Sequence, residues 1–197
     1  RVLFFMELIK QNTQTKITKS IIVIFLGSIA LIVSAKVKIP FYPVPMTMQT
    51  FVVLLIGISF GYKIGLATVS LYLFEGIAGL PVFSNSPEKG VGMVYFMGPT
   101  MGYLIGFLLA VFLTGYLRLD DWTKKNVANT KIFFINLIKL LISVSVIYLL
   151  GLLWLSYLIG YEKALLFGFK PFWIAELFKI LLLAFLTPLA LRFRKFI

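Results

Sequence analysis

The chain has 197 residues, 60% of them apolar and only 13% charged, with a mean hydropathy of +1.01. An ordinary soluble domain carries about 25% charged residues, so a soluble globule is excluded and one membrane-embedded domain is expected. Cysteine and histidine are both absent, which removes disulfides, thiolate nucleophiles, iron–sulfur clusters, Ser-His-Asp hydrolysis, histidine-ligated haem and HExxH zinc sites. Seven acidic residues supply a carboxylate metal site only thinly. No catalytic residue, metal or cofactor is therefore expected, and binding or transport leads over enzymatic chemistry. A net charge of +12 on a soluble chain would point to nucleic acid. Here the charges lie between apolar runs and read as membrane-flanking anchors, so no nucleic-acid partner is expected.

Residues 1–19 are polar and basic and read as a cytoplasmic segment. The chain opens on Arg1; residues 1–5 read as native or as an upstream extension of a start at Met6, and the sequence leaves that open. No small-residue cleavage site follows the first apolar run, so no cleaved signal peptide is expected. A spanning helix needs about 20 apolar residues, and six segments serve: 20–35 (bounded by Lys19 and Lys36), 45–60, 64–80, 98–117, 132–160 and 171–191. Together they make one six-helix domain over 20–191, followed by a basic cytoplasmic tail over 192–197. At helical rise the first two reach about 24 Å and the fifth about 43 Å, so the fifth is expected to tilt, break or protrude.

An even number of spans puts both termini on one side. That side collects twelve Lys and Arg residues against five on the other, with Lys139 and Lys179 inside spans; the positive-inside rule places the twelve, and both termini, in the cytoplasm. The outer loops around 36–45 (KVKIPFYPVP) and 79–97 (GLPVFSNSPEKGVGMVYFM) are punctuated by Pro and Gly yet too apolar to float in water. They are expected to fold back as lids over an outward-facing pocket. The stretch 120–131 is the one linker-like segment.

Gly98, Gly102, Gly106, Ala110 and Thr114 recur at steps of four and form a small-residue stripe. It reads as packing within the chain or as a docking surface for another membrane protein, and self-association stays open. Charges inside spans are costly and mark sites by default; they are Glu75, Lys139, Glu176 and Lys179. Lys139 reads as snorkelling to the cytoplasmic interface, and Glu75 as lining a cavity or reaching the outer interface. Glu176 and Lys179, three apart, share a helical face. They read as a neutralising ion pair or as a polar clamp beneath an outward pocket, one acceptor carboxylate beside a three-donor ammonium. Asn85 alone reads as a turn residue whose amide can donate and accept. Outer aromatics, Phe41, Tyr42 and Tyr103 among them, read as an aromatic belt or as pocket walls. There is no GxxxxGK[ST] phosphate loop, so ATP hydrolysis by that route is not expected.

Three outer segments carry motifs: Pro43-Val44-Pro45-Met46-Thr47-Met48-Gln49-Thr50, Gly79-Leu80-Pro81-Val82-Phe83, and Gly98-Pro99-Thr100-Met101-Gly102-Tyr103-Leu104-Ile105-Gly106-Phe107. In this order they resemble the PVPxTxQT, GLPVF and GPTxGYLxGF signatures of BioY biotin transporters. The resemblance spans about residues 20–191 and is densest between 37 and 107. It implies an all-α integral membrane protein with the six-helix fold of a substrate-binding S component of an energy-coupling-factor (ECF) vitamin transporter, embedded in lipid in the bacterial cytoplasmic (inner) membrane. It implies capture of biotin from outside, energised by a transmembrane coupling protein and two cytoplasmic ATPases, with autonomous uptake left open.

The resemblance also implies a site. Asn85 matches an Asn after the PVF sequence. Glu176-Leu177-Phe178-Lys179 falls at an Asp-x-x-Lys of the sixth helix, with Glu for Asp, and the extra methylene moves the carboxylate. Thr47, Gln49, Tyr42 and Tyr103 are second-rank contacts. Ala30 and Ser34 match, loosely, the small-xxx-small pattern that docks the coupling protein. Biotin offers two ureido N–H donors, one ureido carbonyl, an apolar thiophane ring and a valerate carboxylate. Glu176 is expected to accept from the ureido N–H groups and Lys179 to serve a carbonyl or the carboxylate; which end meets which residue stays open. The rivals are an S component for another vitamin and an ion-coupled small-molecule permease using Glu75 and Lys139.

Overall fold

The computed structural model describes residues 2–39, 42–123 and 129–196; Phe41 of the expected aromatic belt lies outside them. Inside a bilayer the backbone finds no water, so it closes its hydrogen bonds within helices. In chain order these are α1 (Val2–Lys36), the strand pair β1 (Lys38–Ile39) and β2 (Met46–Thr47), α2 (Gln49–Ile77), α3 (Met93–Phe96), α4 (Met101–Tyr116), α5 (Asn129–Ile159), α6 (Tyr161–Gly168) and α7 (Trp173–Arg192), with a 3₁₀ turn over Phe193–Phe196. Among the described residues, four stretches are long and apolar enough to cross a membrane: Gln14–Lys36, Gln49–Ile77, Thr130–Ile159 and Trp173–Arg192; α4 is a shorter apolar helix. α1 runs unbroken past Ser20, where the sequence suggested that the apolar helix would begin.

Helix α2 folds back on itself. Gly61 sits at φ 77°, ψ 176°, where only glycine is free of Cβ strain. Gln49 Nε2 lies 2.7 Å from the Tyr72 hydroxyl, whereas a straight helix would hold these residues about 35 Å apart. The expected segments 45–60 and 64–80 are thus two antiparallel arms, 49–60 and 62–77. The break strips Ile58 of its helical partner, and Arg194 Nε donates to the Ile58 carbonyl at 2.8 Å instead.

Helix α4 packs between α2 and α5. Gly102 backs against Leu150 and Trp154, and a Cβ on Gly106 would stand 2.7 Å from Ile147 Cα, while Ala110 and Thr114 are fully buried. The small-residue stripe is therefore intrachain packing. The long fifth segment stays helical throughout; its break comes at Gly160 (φ 86°), which turns the chain into α6. Pro188 lies inside α7 and has no N–H for the Ala184 carbonyl one turn earlier. Trp122 Nε1 supplies that donor at 3.0 Å. Asn136 fixes the same loop by bonding both the Asp120 carbonyl (2.7 Å) and its N–H (3.1 Å).

Both outer loops do pack back. β1 and β2 pair antiparallel, Lys38 with Thr47 and Ile39 with Met46, making a strap before α2. In the second loop Val82, Phe83, Ser84, Ser86 and Tyr95 are buried. Phe83 stacks on Tyr95 with centroids 4.5 Å apart and meets Tyr72 edge-on at 5.4 Å. α1 instead turns Ile22, Phe25, Leu26, Ile29 and Val33 outward, as a lipid-facing helix does.

Candidate functional site

The site is where the strap, the second loop and the outer ends of α2, α4, α5 and α7 meet. A partly open cavity is lined there by Thr47, Gln49 and Thr50 from strap and α2, and by Phe83, Ser84 and Tyr95 from the loop. Tyr103 and Phe107 of α4, Tyr148 of α5, and Phe172 and Glu176 at the start of α7 complete it. Mostly apolar walls with few polar groups are what small-molecule sites show.

Glu176 and Lys179 are buried, at 6% and 5% exposure. Lys179 Nζ donates to Glu176 Oε1 at 2.7 Å, to the Thr47 carbonyl at 2.7 Å and to Thr50 Oγ1 at 3.0 Å. Those three acceptors match the three N–H bonds of an ammonium. Thr50 Oγ1 in turn donates to Glu176 Oε1 at 3.0 Å. One carboxylate oxygen is thus saturated, while Glu176 Oε2 is buried with no hydrogen-bond partner. Tyr148 stands beside the carboxylate without meeting hydrogen-bond geometry. The other unpartnered buried atom in the cavity wall is Ser84 Oγ. Buried polar groups are nearly always bonded, and these two atoms belong to residues that line one cavity and have hydrogen-bonding capacity left over.

The expected residues divide. Thr47, Gln49, Tyr103 and Glu176 line the cavity. The Tyr103 hydroxyl donates to the Gly168 carbonyl at 2.9 Å, and Gln49 Nε2 donates to Tyr72, so both are wall elements with their polar tips already used. Lys179 is off the cavity lining, borders a groove between strap and α7, and spends its donors on protein. Asn85 is also off the lining; its Oδ1 accepts from Lys38 Nζ at 2.8 Å. Tyr42 is 81% exposed, with Lys89 Nζ 5.1 Å above its ring, and does not reach the cavity. Ala30 is exposed on α1, but Ser34 is buried and donates to the Leu31 carbonyl, so they do not form one exposed pair.

Glu75 accepts from Ser28 Oγ across to α1. Lys139 Nζ donates to the Arg118 carbonyl at 2.8 Å and lies 3.5 Å from Asp120 Oδ2; it reaches the loop end, as a snorkelling lysine does. Neither lines the cavity, and among the described residues no hydrogen bond or ion pair joins them.

Sequence reasoning missed Thr50, Ser84, Lys36 and Lys38. Lys36 Nζ bonds the Phe83 and Ser86 carbonyls at 2.7 and 3.0 Å, and Lys38 Nζ bonds the Ser84 carbonyl at 2.8 Å. These lysines clamp the loop rather than merely flanking the membrane. Thr50 stood in the first motif and Ser84 directly after the second, the only signals available.

The sequence matches the BioY family over residues 8–196. It is similar to the biotin transporter BioY of Thermotoga maritima (37% identical over 166 residues, 84% of this chain and 89% of that protein). It is also similar to a probable biotin transporter BioY of Rickettsia prowazekii (31% over 178 residues, 90% and 84%) and to another of Pyrococcus horikoshii (33% over 147 residues, 75% and 80%). Its fold is similar to a crystal structure described as the S-component for biotin from an ECF-type ABC transporter, with a TM-score of 0.66, 26% identity and coverage of 94% of this chain and 93% of that one.

Proposed function

The chain belongs to the BioY family, and on that premise we propose that it captures biotin in the cavity beneath the two outer loops. It is a multi-pass membrane protein of biotin transport working with energy-coupling partners. The observation that carries the site is the unpartnered Oε2 of Glu176, a residue that lines an aromatic-walled cavity. A ureido N–H is the donor it lacks, and the rings of Phe83, Tyr95, Tyr103 and Tyr148 suit the apolar bicycle. Lys179 and Thr50 hold Oε1, so that Oε2 is aimed before biotin arrives; preorganisation of this kind lowers the cost of binding. Lys179 thereby acts through Glu176. Glu in place of Asp fits this geometry, because the longer side chain still meets Lys179 at 2.7 Å.

In this reading the two arms of α2, with α1, α4, α5 and α7, make six spans in the bacterial cytoplasmic membrane. Both termini lie in the cytoplasm, where twelve of the nineteen Lys and Arg residues gather. The coupling protein of the ECF complex, driven by two ATPases, docks on the apolar outward face of α1 that includes Ala30.

The test is titration calorimetry of detergent-purified protein with biotin, and with thiamine as control. Saturable biotin binding with thiamine silent is expected. Glu176→Gln should weaken biotin by about 10- to 100-fold, the range for losing a hydrogen bond to a charged group. Folded wild-type protein that ignores biotin would overturn the reading.

A further inference from the structure

The cavity has two poles, and they differ in charge. At one, Glu176 offers Oε2, an acceptor that takes an N–H and repels another carboxylate. At the other, Ser84 Oγ is buried without a partner on a residue only 5% exposed. An unmet buried hydroxyl costs free energy, and the backbone that carries this one is held in place. The serine's carbonyl is pinned by Lys38 Nζ at 2.8 Å and its neighbour Phe83's carbonyl by Lys36 Nζ at 2.7 Å. Those two ammonium groups place positive charge against the backbone of this segment. Glu88 faces Lys36 and offsets part of this charge; Lys38, bonded to the Ser84 carbonyl and Asn85 Oδ1, keeps the pole positive.

Resting on the reading of this cavity as the biotin site, we infer that Ser84 is the specificity-determining contact for biotin's carboxylate, and that the substrate lies with its ureido ring at Glu176 and its valerate carboxylate at Ser84. The hydroxyl donates to the carboxylate, and the Lys36–Lys38 clamp holds it in place and supplies the favourable field. A substrate reversed in the cavity would set its carboxylate against Glu176 and its N–H groups against the positive pole, and both placements are repulsive.

The experiment compares biotin, biotinamide and 2-iminobiotin on wild type, Ser84→Ala, Ser84→Thr and Lys38→Gln by calorimetry, with thermal melting as the fold check. Ser84→Ala removes a hydroxyl that bonds to nothing, so the ligand-free protein should melt no lower than wild type. It should bind biotin about tenfold more weakly, the size of one charge-assisted hydrogen bond, while biotinamide and 2-iminobiotin each lose clearly different amounts: biotinamide little, 2-iminobiotin as much as biotin. Ser84→Thr keeps the hydroxyl and should keep the preference for biotin over biotinamide. Lys38→Gln should shrink that preference in the same direction as Ser84→Ala. Equal losses for biotin and biotinamide, or wild-type binding of biotin by Ser84→Ala, would overturn the inference while leaving the biotin site standing. Wild type that fails to bind biotin would bring down the site itself.

Discussion

The two ends of the bundle solve the same problem and reach opposite results. At each, irregular backbone strands carbonyls that side chains must repair. Opposite the cavity, Gly61 frees the Ile58 carbonyl and Pro188 frees that of Ala184; Arg194 and Trp122 supply one donor each. At the cavity end, Lys36 and Lys38 bond the carbonyls of Phe83, Ser84 and Ser86, and Lys179 bonds that of Thr47. The difference lies in what is left over. Two orphaned polar atoms, Ser84 Oγ and Glu176 Oε2, share the wall of one cavity. Arg194 Nη2 at the other end is also unpartnered, but its guanidinium is already engaged in capping a helix. Repair alone makes a rigid end, whereas repair that leaves polar atoms unbonded on residues of one cavity wall supplies what the proposed biotin site would use.

The largest expected effect breaks the cavity end. Lys179→Met leaves the buried Glu176 carboxylate without its counterion, a loss of about 3–5 kcal/mol. Thermal melting should show a steep fall and calorimetry should show biotin binding lost; a variant that melts like wild type would mean that the pair does not hold α7 to the strap. Smaller, and confined to the opposite end, is Trp122→Phe. It keeps the ring among Phe133 and Phe185 but removes the donor to Ala184, at about 1–3 kcal/mol. Melting should fall modestly with biotin affinity unchanged, and a matching loss of affinity would show that the two ends are not separable. The smallest effect is at Tyr42. Its exposed ring lies under Lys89, a contact worth about 0.5–1 kcal/mol at most, so Tyr42→Ala should leave melting and biotin affinity as they are. A tenfold weaker titration, about 1.4 kcal/mol, would instead bring that ring over the bound substrate.

Much of this was legible beforehand. Spacing put Glu176 and Lys179 on one helical face, and they meet at 2.7 Å. Two separate spans were expected over 45–60 and 64–80, and the chain reverses between them, at Gly61. What sequence could not convey was direction. Lys36 and Lys38 counted as interfacial charges because a charge count says nothing of where an ammonium points; both turn inward to a loop some 50 residues on. Lys179 promised three donors, but its acceptors Thr47 and Thr50 lie 132 and 129 residues away in sequence, beyond any periodicity argument. Ser84, Asn85 and Ser86 are equally polar in sequence. Only the folded loop gives Asn85 to Lys38 and puts Ser84 in the cavity wall with its hydroxyl unbonded. Ala30 and Ser34 lie one turn apart, yet the edge of the lipid-facing stripe falls between them.

The most direct measurement is a structure of the protein with biotin bound. The bicyclic ring should sit among Phe83, Tyr95, Tyr103 and Tyr148, with a ureido nitrogen within hydrogen-bond reach of Glu176 Oε2 and the carboxylate at Ser84 Oγ. Biotin found outside this cavity, with Glu176 Oε2 still unpartnered, would contradict the account.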